Sequence, residues 1–188
     1  MKNLKSIALA VVVVLSTLSV TAQTKKVDAS KSAISWVGKK VTGQHNGTVA
    51  IKSGSLAFKG KKLAGGTFVV DMTSLTATDL QGEYQGKLNG HLKSEDFFGT
   101  EKFPTATLVF KKVAVKAPNV YTVTGDLTIK GKTNPVTFDL ATTKNAAATS
   151  FKVDRTKYDI KYGSGSFFDN LGDKAISDDF ELNVALIV

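Results

Sequence analysis

The chain has 188 residues, no cysteine and a formal net charge of +9, and its 42% content of hydrophobic residues is ordinary for a globular protein. The lack of cysteine excludes a disulfide framework and a lipid attached through an N-terminal cysteine. The lysines occur as scattered pairs, without a basic helix or an aromatic-interleaved motif, so the charge argues against nucleic acid and favours a solvated surface or contact with anionic lipid.

Residues 1–22 have the pattern of a secretory signal peptide. Lys2 and Lys5 precede an apolar run at 7–15, and small residues lead up to a cleavage site after Ala22. Removal of this segment would leave 23–188, a length typical of one domain. The sequence therefore predicts an exported protein with a periplasmic location.

Beyond the signal segment, apolar and polar residues alternate with a period of two. In 121–130, for example, Tyr121, Val123, Leu127 and Ile129 fall on one face of an extended chain. Turn signals such as Asn46-Gly47 separate most of the alternating runs. Eight strands are predicted, at 32–41, 47–58, 65–75, 104–116, 119–130, 133–142, 149–162 and 178–188. Their short connections favour an antiparallel up-and-down barrel or a sandwich.

Two longer connections interrupt the strands. The segment 79–98 has Leu88 and Leu92 at helical spacing, which predicts one or two short helices between strands 3 and 4, capping one end of the barrel. The second connection precedes the last strand and carries an aromatic pair, Phe167 and Phe168. Neither is long enough to form a second domain.

Several motifs occur in an order that resembles the YceI-like family of exported lipid- and polyisoprenoid-binding proteins. They include Trp36 with the basic strand after it, GGTFVVDM at 65–72, HLKSEDFF at 91–98, FPTA at 103–106 and GDLTIKG at 125–131. The resemblance implies an all-β, eight-stranded antiparallel lipocalin-like barrel that holds a long isoprenoid tail in its interior. It also implies a homodimer.

The apolar side chains on the inward face of such a barrel are candidates for the wall of a ligand tunnel. The predicted tunnel residues are Trp36, Phe58, Phe68, Val70, Met72, Leu88, Leu92, Phe97, Phe98, Phe110, Leu127, Phe138, Phe151, Phe167 and Phe168. The alternative is that these side chains fill the core completely, because apolar periodicity does not report empty volume.

Three polar residues are candidates for contact with a ligand head group. Arg155 has the same strand parity as Phe151 and Val153, which predicts an inward guanidinium. Its partner would be a carboxylate, such as Asp71, Asp154 or Asp169, or an anionic or carbonyl-bearing ligand head group. His45 and His91 could bind a quinone carbonyl or a diphosphate, and the alternative for each is a role in a turn or a helix cap. The histidines do not have the spacing of a metal site.

The predicted function is that of a non-catalytic periplasmic protein that carries or stores a long-chain amphiphilic lipid, of quinone or polyprenyl type. Each methylene that leaves water contributes about 0.8 kcal/mol to binding such a ligand, so no cofactor is required. Transient contact with a membrane surface would accompany this role. The alternatives are an enzyme acting on an isoprenoid-like or other lipid substrate, a packed structural or stress-response domain, and an outer-membrane barrel. The last is disfavoured because four Tyr and one Trp are few for two aromatic girdles.

Overall fold

The computed structural model describes residues 22–188, which form an antiparallel β-sheet closed into a barrel. The elements are β1 (Ala22–Lys26), β2 (Ala33–Lys40), β3 (Gly43–Lys59), β4 (Lys62–Ala77), α1 (Gly82–Lys93), β5 (Thr105–Ala117), β6 (Val120–Ile129), β7 (Lys132–Thr142), β8 (Ala146–Asp154), two 3₁₀-helices (Arg155–Tyr158 and Gly172–Lys174) and β9 (Ile176–Ile187). The predicted signal segment 1–22 lies outside the described residues except for Ala22.

Eight strands, β2 to β9, close the barrel. Their order is β3-β2-β9-β8-β7-β6-β5-β4, and the pairing of β4 with β3 completes the circle. Closure removes the exposed sheet edges that a sandwich would leave. The prediction of an eight-stranded antiparallel barrel is confirmed.

A ninth strand, β1, was not predicted. Its residues pair with 55–59 of β3, on the edge that β2 leaves free. The sequence of β1, AQTKK, has no apolar alternation, so backbone hydrogen bonds rather than a buried face hold it in the sheet. Because β1 comes first in the chain, the helix lies between strands 4 and 5, and the predicted position between strands 3 and 4 is wrong.

Helix α1 covers one end of the barrel and is attached to the end of β4. The side-chain amide of Asn89 accepts a hydrogen bond from the backbone N–H of Ala77 at 2.8 Å, and the amide of Gln85 donates to the Ala77 carbonyl at 2.7 Å. None of the side chains of α1 is fully buried. These hydrogen bonds, together with the packing of the partly buried Leu88 and Leu92 against the core, hold the helix in place. Within residues 22–188 there is no helix both long and apolar enough to cross a membrane.

Two local predictions are wrong. Asn46-Gly47 was predicted as a hairpin turn, but both residues lie inside β3, and the chain turns at 41–42. Gly47 is required there because Trp36 of β2 packs over it. The predicted strand 149–162 ends at Asp154, whose carboxylate accepts the backbone N–H of Thr156 at 2.9 Å and starts the first 3₁₀-helix.

Candidate functional site

The interior of the barrel contains two apolar cavities that adjoin each other. The upper cavity, at the α1 end, has a volume of about 130 Å³, and the lower cavity has a volume of about 80 Å³. Four side chains line both cavities and form the boundary between them: Ile34, Val70, Leu127 and Leu182. The barrel interior is thus neither completely filled nor an uninterrupted tunnel.

The upper cavity is roofed by the last turn of α1 and the segment that follows it. Leu92, Phe97 and Phe98 close it from above, and the backbone N–H of Phe98 donates to the Leu92 carbonyl at 3.1 Å, which fixes the turn. The ring of Phe98 meets the edge of Phe180 from β9, with centroids 6.1 Å apart. Trp36 and Met72 contribute to the walls below. The roof is held by apolar packing and one tight turn, which is the kind of cover that a ligand can displace.

One side of the upper cavity reaches a polar rim. Between Gly38 and Lys40 of β2 the register with β9 shifts, so that residues 177–179 of β9 face a single residue of β2. Ser177 and Asp179 are exposed at this bulge and also line the cavity. The bulge therefore places two exposed polar residues at the border of the apolar cavity.

The lower cavity is surrounded by aromatic rings. Phe68, Phe110, Phe138 and Phe151 form a continuous series, with successive centroids 5.5, 5.9 and 4.6 Å apart. Phe110 lies over Gly66, where a Cβ atom would come within 2.8 Å of its ring. The rings occupy much of the bore and account for the smaller volume of this cavity.

The wall beside the lower cavity has a seam between β7 and β8. Only 141–142 of β7 pair with 147–148 of β8. Above this short ladder, the Thr149 hydroxyl donates to a β7 carbonyl at 2.7 Å, and Phe138 stacks on Phe151 with the ring planes 17° apart. Side chains rather than a backbone ladder therefore close the barrel here.

Arg155 reaches the wall of the upper cavity from the first 3₁₀-helix. The residue is 2% exposed, and its Nε, Nη1 and Nη2 atoms donate to three backbone carbonyls, those of Ser177, Ile160 and Ile176, at 2.9, 2.8 and 3.0 Å. Its Nη2 atom lies 3.6 Å from the Oδ1 atom of Asp178. This carboxylate was not among the predicted partners, Asp71, Asp154 and Asp169. The guanidinium ties the start of β9 to the end of β8.

The charge state of this pair follows from its surroundings. Burial lowers the pKa of the Arg155 guanidinium, and the negative charges of Asp178 and Asp154 oppose that effect. Burial also works against ionisation of Asp178, but hydroxyl hydrogen bonds, including one from Ser166 at 2.6 Å, and the charge of Arg155 hold its pKa below the ordinary value. The pair is ionised at neutral pH.

Most predicted tunnel residues line one or both cavities. Those at the upper cavity are Trp36, Val70, Met72, Leu92, Phe97, Phe98 and Leu127, together with Arg155. Those at the lower cavity are Phe68, Val70, Phe110, Leu127, Phe138 and Phe151. Strand parity also pointed inward at Ile34, Val49, Ile129 and Leu182, which line the upper cavity but were not included among the predicted site residues.

Six predicted site residues line neither cavity: Phe58, Leu88, Phe167, Phe168, His45 and His91. Phe58 is buried near the β3–β4 turn, under the ammonium group of Lys25 at 5.6 Å. Leu88 packs against the core from α1. Phe167 and Phe168 are 49% and 51% exposed, in the connection between the two 3₁₀-helices.

The two histidines have partners of their own. The Nδ1 atom of His45 lies 2.8 Å from the Asp79 carboxylate, a contact that joins β3 to the segment before α1. Burial opposes ionisation of Asp79, but this contact and the backbone N–H of Asn46 hold the pKa of Asp79 below its ordinary value. The ring of His91 packs edge-on against Tyr162, with centroids 4.5 Å apart. Across residues 22–188, no group of three or more acidic or histidine side chains is arranged to hold a metal ion.

The model of the YceI-like domain matches residues 26–188. The chain belongs to the YceI-like family. It is 40% identical over 108 residues to a UPF0312 protein of Staphylococcus epidermidis, a match that covers 50% of this chain and 58% of that protein. It is 52% identical over 52 residues to a UPF0312 protein of Staphylococcus aureus, covering 28% of each. The matches thus span little more than half of the first relative and little more than a quarter of the second.

Solved structures share the fold. BcnA of Burkholderia cenocepacia superposes with a TM-score of 0.69 at 25% identity, over 86% of this chain and 99% of that one. A polyisoprenoid binding domain from Saccharophagus degradans, implicated in plant cell wall breakdown, superposes with a TM-score of 0.58 over 86% of this chain and 95% of that one. The identity to the second is 16%, so this likeness concerns the fold alone.

Proposed function

We propose that this protein is a non-catalytic, periplasmic binding protein that shelters the apolar tail of a long-chain lipid, of polyisoprenoid or quinone type, inside its barrel and needs no cofactor. The observation that carries the proposal is the upper cavity, which is walled by apolar side chains and bordered by the exposed polar residues Ser177 and Asp179. A cavity of this kind suits an amphiphile whose tail is buried and whose head remains in water. Two comparisons support the proposal. The chain belongs to the YceI-like family, and it shares its fold with the polyisoprenoid binding domain from Saccharophagus degradans.

The volumes require the barrel to adjust when a tail enters. Ligand pockets typically have volumes of about 300–1,000 Å³, whereas the two cavities have about 130 and 80 Å³. Rotation of the boundary side chains at Val70 and Leu182 would join them, and the β7–β8 seam can widen without breaking a long ladder. Each methylene or methyl group buried contributes about 0.8 kcal/mol, which offsets this rearrangement over a tail of several units.

The direct test is to identify the cargo. The protein is purified from its native envelope without detergent, extracted with organic solvent, and the extract is analysed by mass spectrometry. Recovery of one lipid in stoichiometric amount supports the proposal. A protein that is reproducibly empty and fully stable would instead be a packed structural domain, and the proposal would be wrong.

A bulky residue in the upper cavity should block binding. Ala106 lines this cavity and is 5% exposed, so the ring of an Ala106→Phe variant would occupy the space of the tail. We expect binding of a radiolabelled polyprenol to weaken at least about tenfold, since loss of two buried carbons already costs more than 1.4 kcal/mol. The control is Ala64→Phe on the exposed face of β4, which should bind as the wild type does.

The thermal unfolding of both variants is also measured, because an overpacked core can lose stability. If Ala106→Phe keeps its fold and still binds the polyprenol with unchanged affinity, the tail does not occupy the upper cavity.

A further inference from the structure

The three hairpin turns at the end of the barrel opposite α1 lie together. The β3–β4, β5–β6 and β7–β8 turns all fall at this end, because alternate strands of an up-and-down barrel reverse there. β1 runs beside the β3–β4 hairpin, and the backbone N–H of Asp28 donates to the Ile187 carbonyl at 2.8 Å, which brings the β1–β2 connection to the same end.

This end carries the positive charge of the described chain. Residues 22–188 contain 23 Lys and Arg, once Lys2 and Lys5 are set aside, against 16 Asp and Glu, a balance of +7. Two acidic residues, Asp28 and Asp139, lie at the end with the hairpin turns. Eight lysines lie there and define what we call the basic end: Lys25, Lys26, Lys31, Lys59, Lys61, Lys62, Lys116 and Lys144.

Six of these eight lysines have no acidic partner among residues 22–188. Lys31 pairs with Asp28 at 2.9 Å, and Lys116 pairs with Asp139. Lys25 is turned onto the Phe58 ring and donates to a backbone carbonyl. The remaining exposed lysines without an ion pair in the described part of the chain are Lys26, Lys59, Lys61, Lys62 and Lys144.

The other end of the barrel has no such excess of lysines, because acidic residues offset the basic ones there. The connection 159–175 and the start of β9 carry five aspartates, Asp159, Asp169, Asp173, Asp178 and Asp179, against Lys161 and Lys174. The molecule is therefore electrically polar along its axis. In the field of an anionic surface such a molecule orients with the basic end toward that surface.

We propose that the basic end docks the barrel onto a bilayer that contains anionic phospholipid. Lysines on hairpin tips can reach phosphate head groups simultaneously, and the β5–β6 hairpin adds an exposed apolar side chain, Val115, which is 62% exposed, and the exposed Pro118. A bilayer interface accepts both kinds of group. Nucleic acid is a poorer match, because the hairpin turns 60–61, 118–119 and 143–145 offer no aromatic ring on which a base could stack.

The docked orientation places the lower cavity toward the membrane. Leu140 and Leu186 line that cavity near the ends of β7 and β9, which run to the basic end. Docking itself does not depend on the cargo, so it goes beyond the function proposed above and can be tested apart from it.

The experiment measures cosedimentation of the full protein with vesicles of phosphatidylcholine alone or mixed with phosphatidylglycerol. The test variant replaces Lys26, Lys59, Lys61 and Lys62 with glutamine. The matched control replaces four lysines near the other end, Lys40, Lys93, Lys132 and Lys174, with glutamine, so both variants lose the same net charge. Thermal melts and the lipid extraction described above are run on both.

We expect the wild type to bind only the vesicles with phosphatidylglycerol, and less strongly as salt is added. The test variant should lose at least about tenfold in partitioning, while the control stays within about twofold of the wild type, since each lysine near an anionic surface contributes separately to binding. Equal losses in the two variants, or no binding by the wild type, would overturn the proposal. Tighter binding to duplex DNA than to the vesicles at the same salt concentration would also overturn it, in favour of a nucleic acid partner.

Discussion

Replacement of Gly47 with alanine is expected to destabilise the barrel by about 3 kcal/mol or more. A Cβ atom at this position would lie 1.9 Å from the carbonyl oxygen of Thr76 and 2.5 Å from Cζ2 of Trp36. The first of these atoms belongs to the backbone of β4, so no side-chain rotation can relieve the clash. The strands would have to separate at the point where β2, β3 and β4 meet. Urea unfolding with the linear extrapolation measures the change in the free energy of unfolding.

Gly65→Ala is the matched control for this prediction, because Gly65 also lies in the β3–β4 pair. Its added Cβ would be 3.7 Å from the Cβ of Ala57, an ordinary contact. We expect a change within about 1 kcal/mol in either direction, since alanine also restricts the unfolded chain. Equal effects of the two substitutions would mean that the loss of glycine as such, and not the close approach of the strands, determines the outcome.

The alternation of residue types was sufficient to predict the barrel strands because each has one buried and one solvated face. In β6, the buried positions alternate without interruption from Tyr121 to Ile129, as the pattern predicted. The same reasoning could not find β1, whose polar residues are held by backbone pairing to β3. It also misplaced the turn at Gly47, because a glycine needed for close packing and a glycine needed for a turn look alike in sequence.

The sequence predicted site residues correctly where it was enough to know that a side chain points into the barrel. Trp36 and Met72 line the upper cavity because their strands carry them inward. Phe58 also points inward, but it lies beyond the cavities, near the β3–β4 turn. The alternation along a strand does not show how far along the barrel axis a residue lies. Phe167 was predicted from its residue type alone and is half exposed on a long connection. The volume of the cavities could not be predicted, because periodicity gives orientation and not the space between side chains.

Arg155→Met is expected to lower the free energy of unfolding at neutral pH by about 3–5 kcal/mol, as is typical when the buried member of an ion pair is removed. Methionine keeps the aliphatic length of the side chain but cannot donate to the three carbonyls that Arg155 serves. It also leaves the Asp178 carboxylate without its positive partner. A role in binding a ligand head group alone would leave the empty barrel as stable as before, whereas these contacts predict a large loss of stability in the absence of any ligand.

The pH dependence of this loss of stability separates the contribution of the ion pair with Asp178 from that of the hydrogen bonds to the three carbonyls. Asp178 has a pKa below its ordinary value of 3.8 in the folded protein, so its stabilising effect is fully present above pH 3.8 and disappears as the pH falls through the folded pKa. Without Arg155, part of what lowers that pKa is gone. The difference in unfolding free energy between the wild type and Arg155→Met should therefore be largest near neutral pH and should narrow below about pH 4.

A double variant provides the decisive comparison. If the unpaired carboxylate contributes to the cost, Arg155→Met combined with Asp178→Asn should recover part of the stability lost in Arg155→Met alone, because the uncompensated charge is then absent. The hydrogen bonds to the carbonyls of Ser177, Ile160 and Ile176 would remain lost, so recovery should be incomplete. A different result would assign Arg155 to ligand binding. The Arg155→Met variant would then unfold at the same urea concentration as the wild type. Its affinity for a polyprenyl phosphate would fall, and its affinity for a polyprenol would not.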